Sequence, residues 1–275
     1  MSLAEDGLIE TIETMNRDPI FGSRVKVIVV NGEANELLMR DYPEHPRPSR
    51  YIDQLLEKEV ENNMIPEVRL YHFTRDLYDD GIDPVIPVVK VGDNEIVVDG
   101  IGLFKGDQYK TKIDPMDARV FFFMRGDFTE GALHFDVEDP ELDKKAQLLF
   151  SSIENDKKVR VDSSDLNHIK VYLELNIRGS MLEYNGTINV VDPNGLRKIE
   201  QIIENQVRTK AEELLQVMQE YEVDSAGIGS YVRNSMSYEE WKGLDWHDVF
   251  ANIDIEVSVT AAIKDAGFFK FREDE

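Results

Sequence analysis

Hydrophobic and polar residues alternate most regularly in two segments of the C-terminal half. Apolar residues occupy every second position from Ile169 to Ile177 and again from Ile253 to Ile263. This period of two is typical of β-strands with one buried face and one face in water. Between them, apolar residues recur at helical spacing, which predicts a long amphipathic helix over 195–221. The C-terminal part is therefore predicted to be a sheet packed on a long helix.

Shorter elements are predicted upstream. Segments 85–91 and 95–104 have strand composition and are joined by a glycine-containing turn, and 108–113 follows after a second turn. Asn185-Gly186 is typical of a type I′ turn and predicts a hairpin between 181–184 and 187–191. The apolar run Phe121 to Met124 is too short to be assigned as helix or strand.

The N-terminal part contains one predicted strand, Val25 to Val30, between two short helical patterns. A lone strand cannot satisfy the hydrogen bonds of its own edges. We expect residues 1–45 to be the remnant of a first domain whose other strands lie upstream. The alternative, that this strand joins the sheet of the following domain, remains open at this stage.

These elements predict a multidomain α+β protein in which each domain is a mixed or antiparallel sheet with packed helices. The proline-rich stretch Tyr42 to Pro48 marks the first boundary, because proline excludes helix at the residue before it. The predicted division is 1–45 for the remnant, 46–117 for a second domain and 118–275 for a third domain that contains the long helix.

Composition excludes several classes of function. The formal net charge of −24 argues against nucleic acid as a partner, because phosphate backbones are bound by clustered Lys and Arg. The chain has no cysteine, which excludes disulfides, thiolate zinc sites and a cysteine nucleophile. No apolar run approaches the roughly 18 residues that a membrane-spanning helix needs.

No catalytic or cofactor-binding set emerges from the spacing of reactive residues. The histidines, among them His45, occur singly and lack metal-ligand spacing. Asp245-Trp246-His247-Asp248 is best interpreted as an Asp cap with a solvated first helical turn. The glycine pairs at 100/102 and 227/229 do not match a dinucleotide fingerprint and indicate close packing or bends. We therefore predict no cofactor and no metal.

Several motifs taken in order resemble one family, the Ger(x)C proteins, which are C-subunit lipoproteins of spore nutrient-germinant receptors. The resemblance extends over about residues 15–268, up to a closing glycine at 267. It rests on a Asp-Pro-x-x-Pro turn, a "G-x-x-x-F-K" strand pair, a Met-Arg-Gly landmark and a C-terminal stretch rich in glycine and tryptophan. The motif positions, for which we expect a structural or interface role, are Asp83, Pro84, Gly100, Phe104, Gly126, Gly227, Gly229, Trp241, Trp246 and Phe250.

The resemblance implies a three-domain protein anchored by an N-terminal lipid to the outer face of the spore inner membrane. It also implies partnership with two integral membrane subunits, the A and B types, in triggering germination by nutrients, and it implies no enzymatic activity. The lipid-modified cysteine and the first-domain sequence of the family are absent here, so we expect an N-terminally truncated chain.

Three functions are considered. The first is a non-catalytic receptor subunit that transmits a state to its membrane partners. The second is direct binding of an amino acid or sugar germinant, which requires a concave pocket with convergent polar groups. The third, a hydrolase using two carboxylates, rests only on the surplus of Asp and Glu.

Overall fold

The structure is a computed structural model and describes residues 2–22, 25–43, 47–138, 145–166 and 168–265. His45 and the closing glycine at 267 lie outside these residues. So do residues 139–140, where the Asp-Pro sequence between two apolar segments predicts an acidic turn. The elements of the first half are α1 (Ser2–Asp6), α2 (Ile9–Arg17), β1 (Val29–Val30), α3 (Ala34–Met39), α4 (Pro48–Glu61), α5 (Leu70–Tyr78), β2 (Val85–Val91), β3 (Ile96–Lys105) and β4 (Gln108–Ile113). Those of the second half are α6 (Ala118–Arg125), β5 (Leu133–Val137), β6 (Ala146–Asp162), β7 (Lys170–Tyr184), α7 (Pro193–Glu220), α8 (Ile228–Asn234), α9 (Tyr238–Lys242), α10 (Trp246–Asn252) and β8 (Asp254–Asp265).

The first sheet has four strands in the order β1-β2-β3-β4. The strands β2, β3 and β4 pair antiparallel, as the predicted turns require, and β1 adds to β2 in parallel. The buried strand expected at 25–30 is shorter than predicted, because only Val29 and Val30 pair with β2. Lys26 forms an isolated bridge to Arg69 instead.

The pairing of β1 decides between the two interpretations of the N-terminal strand. Val29 lies opposite Val88 and Val30 opposite Val89, so this strand joins the sheet of the segment that follows it. The physical reason is that β2 offers an open edge on which β1 can satisfy its backbone groups. The domain boundaries near 45 and 117 remain a prediction.

The second sheet, in the order β5-β6-β7-β8, carries the alternating segments. The odd-numbered residues of β7 from Val171 to Ile177 are buried, which confirms the predicted inner face. β7 pairs antiparallel with β6 and parallel with β8, so the sheet is mixed. The α+β fold class predicted from the sequence is confirmed, with four-stranded mixed sheets and packed helices in both halves.

Helix α7 begins and packs as its sequence predicts. The carboxylate of Asp192 accepts hydrogen bonds from the backbone N–H groups of Asn194 and Gly195 at 3.1 Å, and Pro193 occupies the first turn, where no N–H is needed. The stripe facing the sheet is almost fully buried and consists of Ile199, Ile203, Val207, Ala211, Leu214 and Met218.

The hairpin predicted at Asn185-Gly186 is wrong. β7 runs unbroken from Lys170 to Tyr184, and residues 187–191 form no strand. The side chain of Asn185 accepts a hydrogen bond from the backbone N–H of Gln147 at 2.7 Å, so it caps the end of the β6–β7 ladder. The local turn signal is overridden because the following residues lead into α7, where the carbonyl of Asn189 lies against Gly195.

The ambiguous apolar run becomes helix α6, in which every residue from Val120 to Met124 is buried. Gly126 ends this helix with φ of +91°, a left-handed conformation that glycine adopts without strain. One continuous apolar core, whose members range from Ala4 to Ile263, includes this helix and residues of both sheets. Among the described residues, no helix has the length and apolar character needed to cross a membrane.

Candidate functional site

The two halves of the chain meet where the start of β2 contacts the segment after α7. The backbone N–H of Asp83 donates to the carbonyl of Asp224 at 2.9 Å, and the N–H of Asp224 donates back to Asp83 Oδ2 at 2.7 Å. The N–H of Ser230 donates to the carbonyl of Gly81 at 3.0 Å. These reciprocal bonds connect residues 141 positions apart in the chain. We call Asp83, Arg125, Lys157, Asp224 and His247 the polar junction.

Asp224 is the most deeply placed acid of the polar junction, with no exposed surface. Its carboxylate accepts hydrogen bonds from the backbone of Ile228 at 2.9 Å and Gly229 at 2.6 Å, and from the indole N–H of Trp246 at 3.0 Å. Burial, with the nearby charge of Asp83, raises the pKa of Asp224 to about 6 although these donors oppose the change. The carboxylate thus fixes the first turn of α8 and the tryptophan.

Asp83 shares its carboxylate between backbone donors and a histidine. Oδ1 accepts from the N–H of Gly106 at 2.9 Å, and Oδ2 lies 3.1 Å from His247 Nε2. The hydrogen bond to Asp83 raises the pKa of His247, although burial opposes it. The predicted Asp cap is observed, since Asp245 accepts from the N–H of Asp248. The predicted solvated turn is wrong for His247, which lies two-thirds buried against the other half of the chain.

Two cations complete the polar junction. The side chain of Arg125 is 4% exposed and donates to Asp76 Oδ2 at 2.6 Å and to the carbonyl of Ser225 at 2.6 Å. Lys157 donates to the carbonyl of Ala226 at 3.2 Å, and its ammonium group lies 4.9 Å from the ring centre of Tyr231. Burial lowers the pKa of Lys157 to about 8. The sequence analysis included Arg125 only as part of the Met-Arg-Gly landmark and missed Lys157, because nothing along the chain links either residue to residues 224–226.

The aromatic motif residues pack beside the polar junction. The rings of Trp241 and Trp246 have centroids 5.4 Å apart, and Phe250 lies 5.9 Å from Trp246 on its other side. A side chain on Gly229 would place its Cβ 2.5 Å from Trp246 Nε1 and 2.7 Å from the Cα of Gly81. Gly227 adopts φ of +71° immediately before α8. The tight packing expected of this glycine pair is observed.

Three other motif positions, Pro84, Gly100 and Phe104, lie in or near the first sheet, whereas Gly126 ends α6. The carbonyl of Pro84 accepts from the N–H of Phe104 at 3.2 Å, and Phe104 packs edge-on to Phe73 and Tyr109. Gly100 adopts φ of +132° where a Cβ would lie 2.1 Å from the carbonyl oxygen of Ile113. The structure thus brings Asp83, Gly227, Gly229 and the three aromatic residues together, whereas Gly100 serves strand packing.

Asp99, beside Gly100, is a second buried acid that the sequence did not reveal. Burial alone would raise the pKa of Asp99, but bonds from Lys112, Lys90 and Asn31 outweigh it and lower this pKa to about 2. Asn31 Nδ2 donates to Asp99 Oδ2 at 2.8 Å, so this cluster ties the end of β1 to β3. Its contacts indicate a structural role.

A surface cavity of about 540 Å³ opens beside the polar junction. Its wall includes residues 79–83, Gly106 and 241–247. This wall contains four acids. Three of them have a basic partner: Asp79 pairs with Arg233 at 2.7 Å, Asp80 with Lys242 at 3.5 Å and Asp83 with His247, whereas Asp245 caps α10. In the part of the chain that the structure describes, no group of three or more His, Asp or Glu residues is placed to hold a metal ion. The cavity is therefore lined by aromatic side chains and by acids most of which have a basic partner.

By its fold, the protein belongs to the α+β class. Its two mixed four-stranded sheets are joined through the buried charged groups of the polar junction. A solved structure, the crystal structure of the GerBC protein, has a similar fold, with a TM-score of 0.73 over 96% of this chain and 76% of that one at 13% identity. Residues 99–267 match the family model "Spore germination B3/GerAC like, C-terminal", and residues 1–91 match the spore germination protein N-terminal domain. The chain belongs to this spore germination family, the Ger(x)C proteins.

Two curated proteins are similar along nearly the whole chain. Spore germination protein GerQC of Bacillus cereus is 24% identical over 96% of this chain and 72% of its own length. The putative spore germination protein YfkR of Bacillus subtilis (strain 168) is 20% identical over 96% of this chain and 69% of its own length. The resemblance inferred from the ordered motifs is confirmed at the level of the family.

Proposed function

We propose that the protein is the non-catalytic C-type subunit of a spore nutrient-germinant receptor. It would act beside integral membrane subunits of the A and B types, held by an N-terminal lipid at the outer face of the spore inner membrane. The observation that carries this proposal is the match of both family domains along the chain. The paired state of the acids at the cavity is also consistent with a role in structure and contact rather than in catalysis.

The polar junction suggests how such a subunit would work. Asp83 and Asp224 bind each other's backbone, and Arg125 and Lys157 bind carbonyls of residues 225 and 226. A displacement of one half therefore moves the other, because separating them would leave buried charges without partners. We infer that the subunit transmits force or position between its membrane partners as one body.

The test is affinity isolation of the tagged full-length protein from detergent-solubilised spore membranes. We expect two integral membrane proteins to co-purify in near-equal amounts, and spores lacking the gene to lose nutrient germination. Restoring the gene should restore nutrient germination and serves as the control. Isolation of the protein alone, together with unchanged nutrient germination of the deleted strain, would contradict the proposal.

Direct germinant binding is a second candidate, favoured by the cavity of about 540 Å³. This volume lies within the range of roughly 300–1,000 Å³ that is typical of small-molecule sites. The chain contains two tryptophans, Trp241 and Trp246, and both line the cavity. Their fluorescence therefore reports directly on occupancy, and titration with single amino acids and sugars should quench or shift it. No change in fluorescence and no calorimetric heat would exclude this candidate for the compounds tested.

A further inference from the structure

Among the described residues, the N-terminal half of β8 has no strand paired to its outer edge. The N–H groups of Ala261 and Ile263 point away from β7, because they donate to Glu204 Oε1 at 3.1 Å and Glu200 Oε1 at 3.0 Å. The register with β7 is unbroken from Asp254 to Ile263. Since backbone groups alternate in direction along a strand, those of residues 255, 257 and 259 point to the same outer side. No described residue bonds to them.

Two other edge strands also have contacts with helices. Helix α1 packs along β4, and on the edge of β5 the Nε2 atom of Gln206 in α7 donates to the carbonyl of Asp136 at 2.6 Å. On β8 itself, the two glutamates of α7 occupy only the N–H groups of residues 261 and 263. An open strand edge is a template for pairing with another chain. Residues 254–260 of β8, which we call the β8 edge, are therefore a candidate docking surface.

We propose that the β8 edge binds a second copy of this chain, strand against strand and antiparallel, with the two-fold axis at Val257. In this register Val257 lies opposite itself, and Ile255 lies opposite Val259 of the second copy. The two-fold axis also places Val259 opposite Ile255 of the second copy, which makes three pairs. Each pair joins residues whose backbone groups point outward, so the two residues of a pair can exchange both of their backbone hydrogen bonds. The two second sheets would become one continuous eight-stranded sheet.

The side chains of the β8 edge are complementary under this symmetry. On the core side, Ile255 meets Val259 and Val257 meets Val257, which are β-branched cross-strand pairs that stabilise sheets. On the solvent side, Glu256 lies opposite Ser258 and Asp254 opposite Thr260. Each carboxylate thus faces a hydroxyl group that can donate to it, and no two acids face each other.

The adjacent registers are disfavoured by features of the same strand. A shift that moves the axis to residue 256 would place Glu256 directly opposite Glu256 of the second copy. A shift to residue 258 would require the N–H of Ala261, which Glu204 already binds. Arg197 holds Glu204 and Glu200 in place by ion pairs of 2.9 and 3.2 Å. The register centred on Val257 is the one that the described groups permit.

Charge makes the proposed association dependent on salt. Each copy carries a formal charge of −24, so two copies repel at long range. Salt screens this repulsion over about 8 Å at physiological ionic strength. We expect sedimentation velocity of the purified chain to show a monomer–dimer equilibrium that shifts toward the dimer as sodium chloride is raised.

The first test changes one exposed residue of the β8 edge. Ser258→Glu places acids opposite each other twice in the symmetric dimer, and we expect dimer affinity to fall by about tenfold. Gln216→Glu makes the same change of charge on the exposed face of α7 and should leave the dimer intact. The proposal would be overturned if Ser258→Glu and Gln216→Glu had the same dimer affinity. It would also be overturned if the wild-type chain stayed monomeric at all salt concentrations.

The second test reads the register directly and uses the absence of cysteine from the chain. Glu256→Cys and Ser258→Cys chains are mixed and oxidised, because residues opposite each other lie close enough for a disulfide. We expect the mixed dimer to be the main cross-linked product, and a Gln216→Cys chain mixed with Ser258→Cys to give none. Dimers that appear only when the chain is shortened after Asp265 would assign the β8 edge to the chain's own C-terminal residues and overturn the proposal.

Discussion

The polar junction and the charged surface of α7 use the same kinds of residue in opposite ways. At the polar junction, Arg125 is 4% exposed and every nitrogen of its guanidinium group has a partner. On α7, Arg197 pairs with two glutamates but is 50% exposed. Loss of a partner is costly at the polar junction because water cannot replace it, whereas water replaces it readily on the helix surface.

This difference teaches where the stability of the protein depends on single groups. The reciprocal bonds of Asp83 and Asp224 join segments far apart in sequence, and both acids are nearly or wholly buried. The α7 pairs join residues within two helical turns that α7 already holds together.

The largest effect is expected from Arg125→Met. The change leaves Asp76, which is 4% exposed, without its buried partner. We expect the free energy of unfolding to fall by about 3–5 kcal/mol in urea titrations. Arg75→Met is the matched control, because Arg75 binds the same carboxylate from a half-exposed position. If Arg75→Met lowered the free energy of unfolding as much as Arg125→Met, burial would not explain the effect of Arg125.

Gly229→Ala tests the close approach of α8, Trp246 and the turn at Gly81. The added methyl group would lie 2.5 Å from the indole nitrogen, so the packing must shift. We expect a loss of about 1–3 kcal/mol in the free energy of unfolding and a changed tryptophan fluorescence spectrum. Gly243→Ala is the control, since its Cβ would meet no atom closer than 3.4 Å. If Gly229→Ala had the stability and fluorescence spectrum of the wild-type chain, the contact between Gly229 and Trp246 would not be tight.

The Asp83–His247 pair predicts a dependence of stability on pH. The pKa of His247 is raised above its usual 6.5 in the folded state, so its contribution is complete below pH 6.5 and is lost as pH rises through the folded value. We expect wild-type stability to decline over this range and His247→Gln to flatten the decline. Thermal unfolding from pH 5 to 9 measures this decline in stability. His168→Gln is the control for the loss of one histidine. A decline of the same size in His247→Gln would assign it to other groups.

The smallest effect is expected from Arg197→Met. The exposed guanidinium group contributes little net energy, so we expect the free energy of unfolding to change far less than in Arg125→Met, as measured in the same urea titrations. Raising the salt concentration should reduce the difference from the wild-type chain further. A loss comparable to that of Arg125→Met would remove the distinction between the two regions.

Much of the fold could be predicted from the sequence where local pattern and tertiary packing agree. The strands β7 and β8 and the helix α7 follow from their periods, because each buries one face against the same core. The prediction failed at Asn185-Gly186, where a strong turn signal lies at the end of a long strand instead of in a hairpin. The strand predicted at 25–30 was also longer than the observed β1, because only two of its residues pair with β2.

The candidate site was harder to predict. The glycines and aromatic residues were identified as motif positions, but Lys157 has no sequence signal, and the Met-Arg-Gly landmark does not indicate which groups Arg125 binds. Their chemistry depends on burial and on contacts with residues far away in the chain. Family resemblance identified which residues to examine, and the tertiary structure supplied their contacts.

The sequence by itself determined the amphipathic elements, the absence of thiol chemistry and the family, because these depend on residue order and composition. Tertiary packing alone brings Asp83 to Asp224 and His247 and pairs β1 with β2, and among the described residues it leaves part of β8 without a second neighbouring strand. The physical reason is that periodicity is a local property, whereas the pKa of a buried acid and the pairing of an edge depend on which distant groups the folded chain brings within a few ångströms.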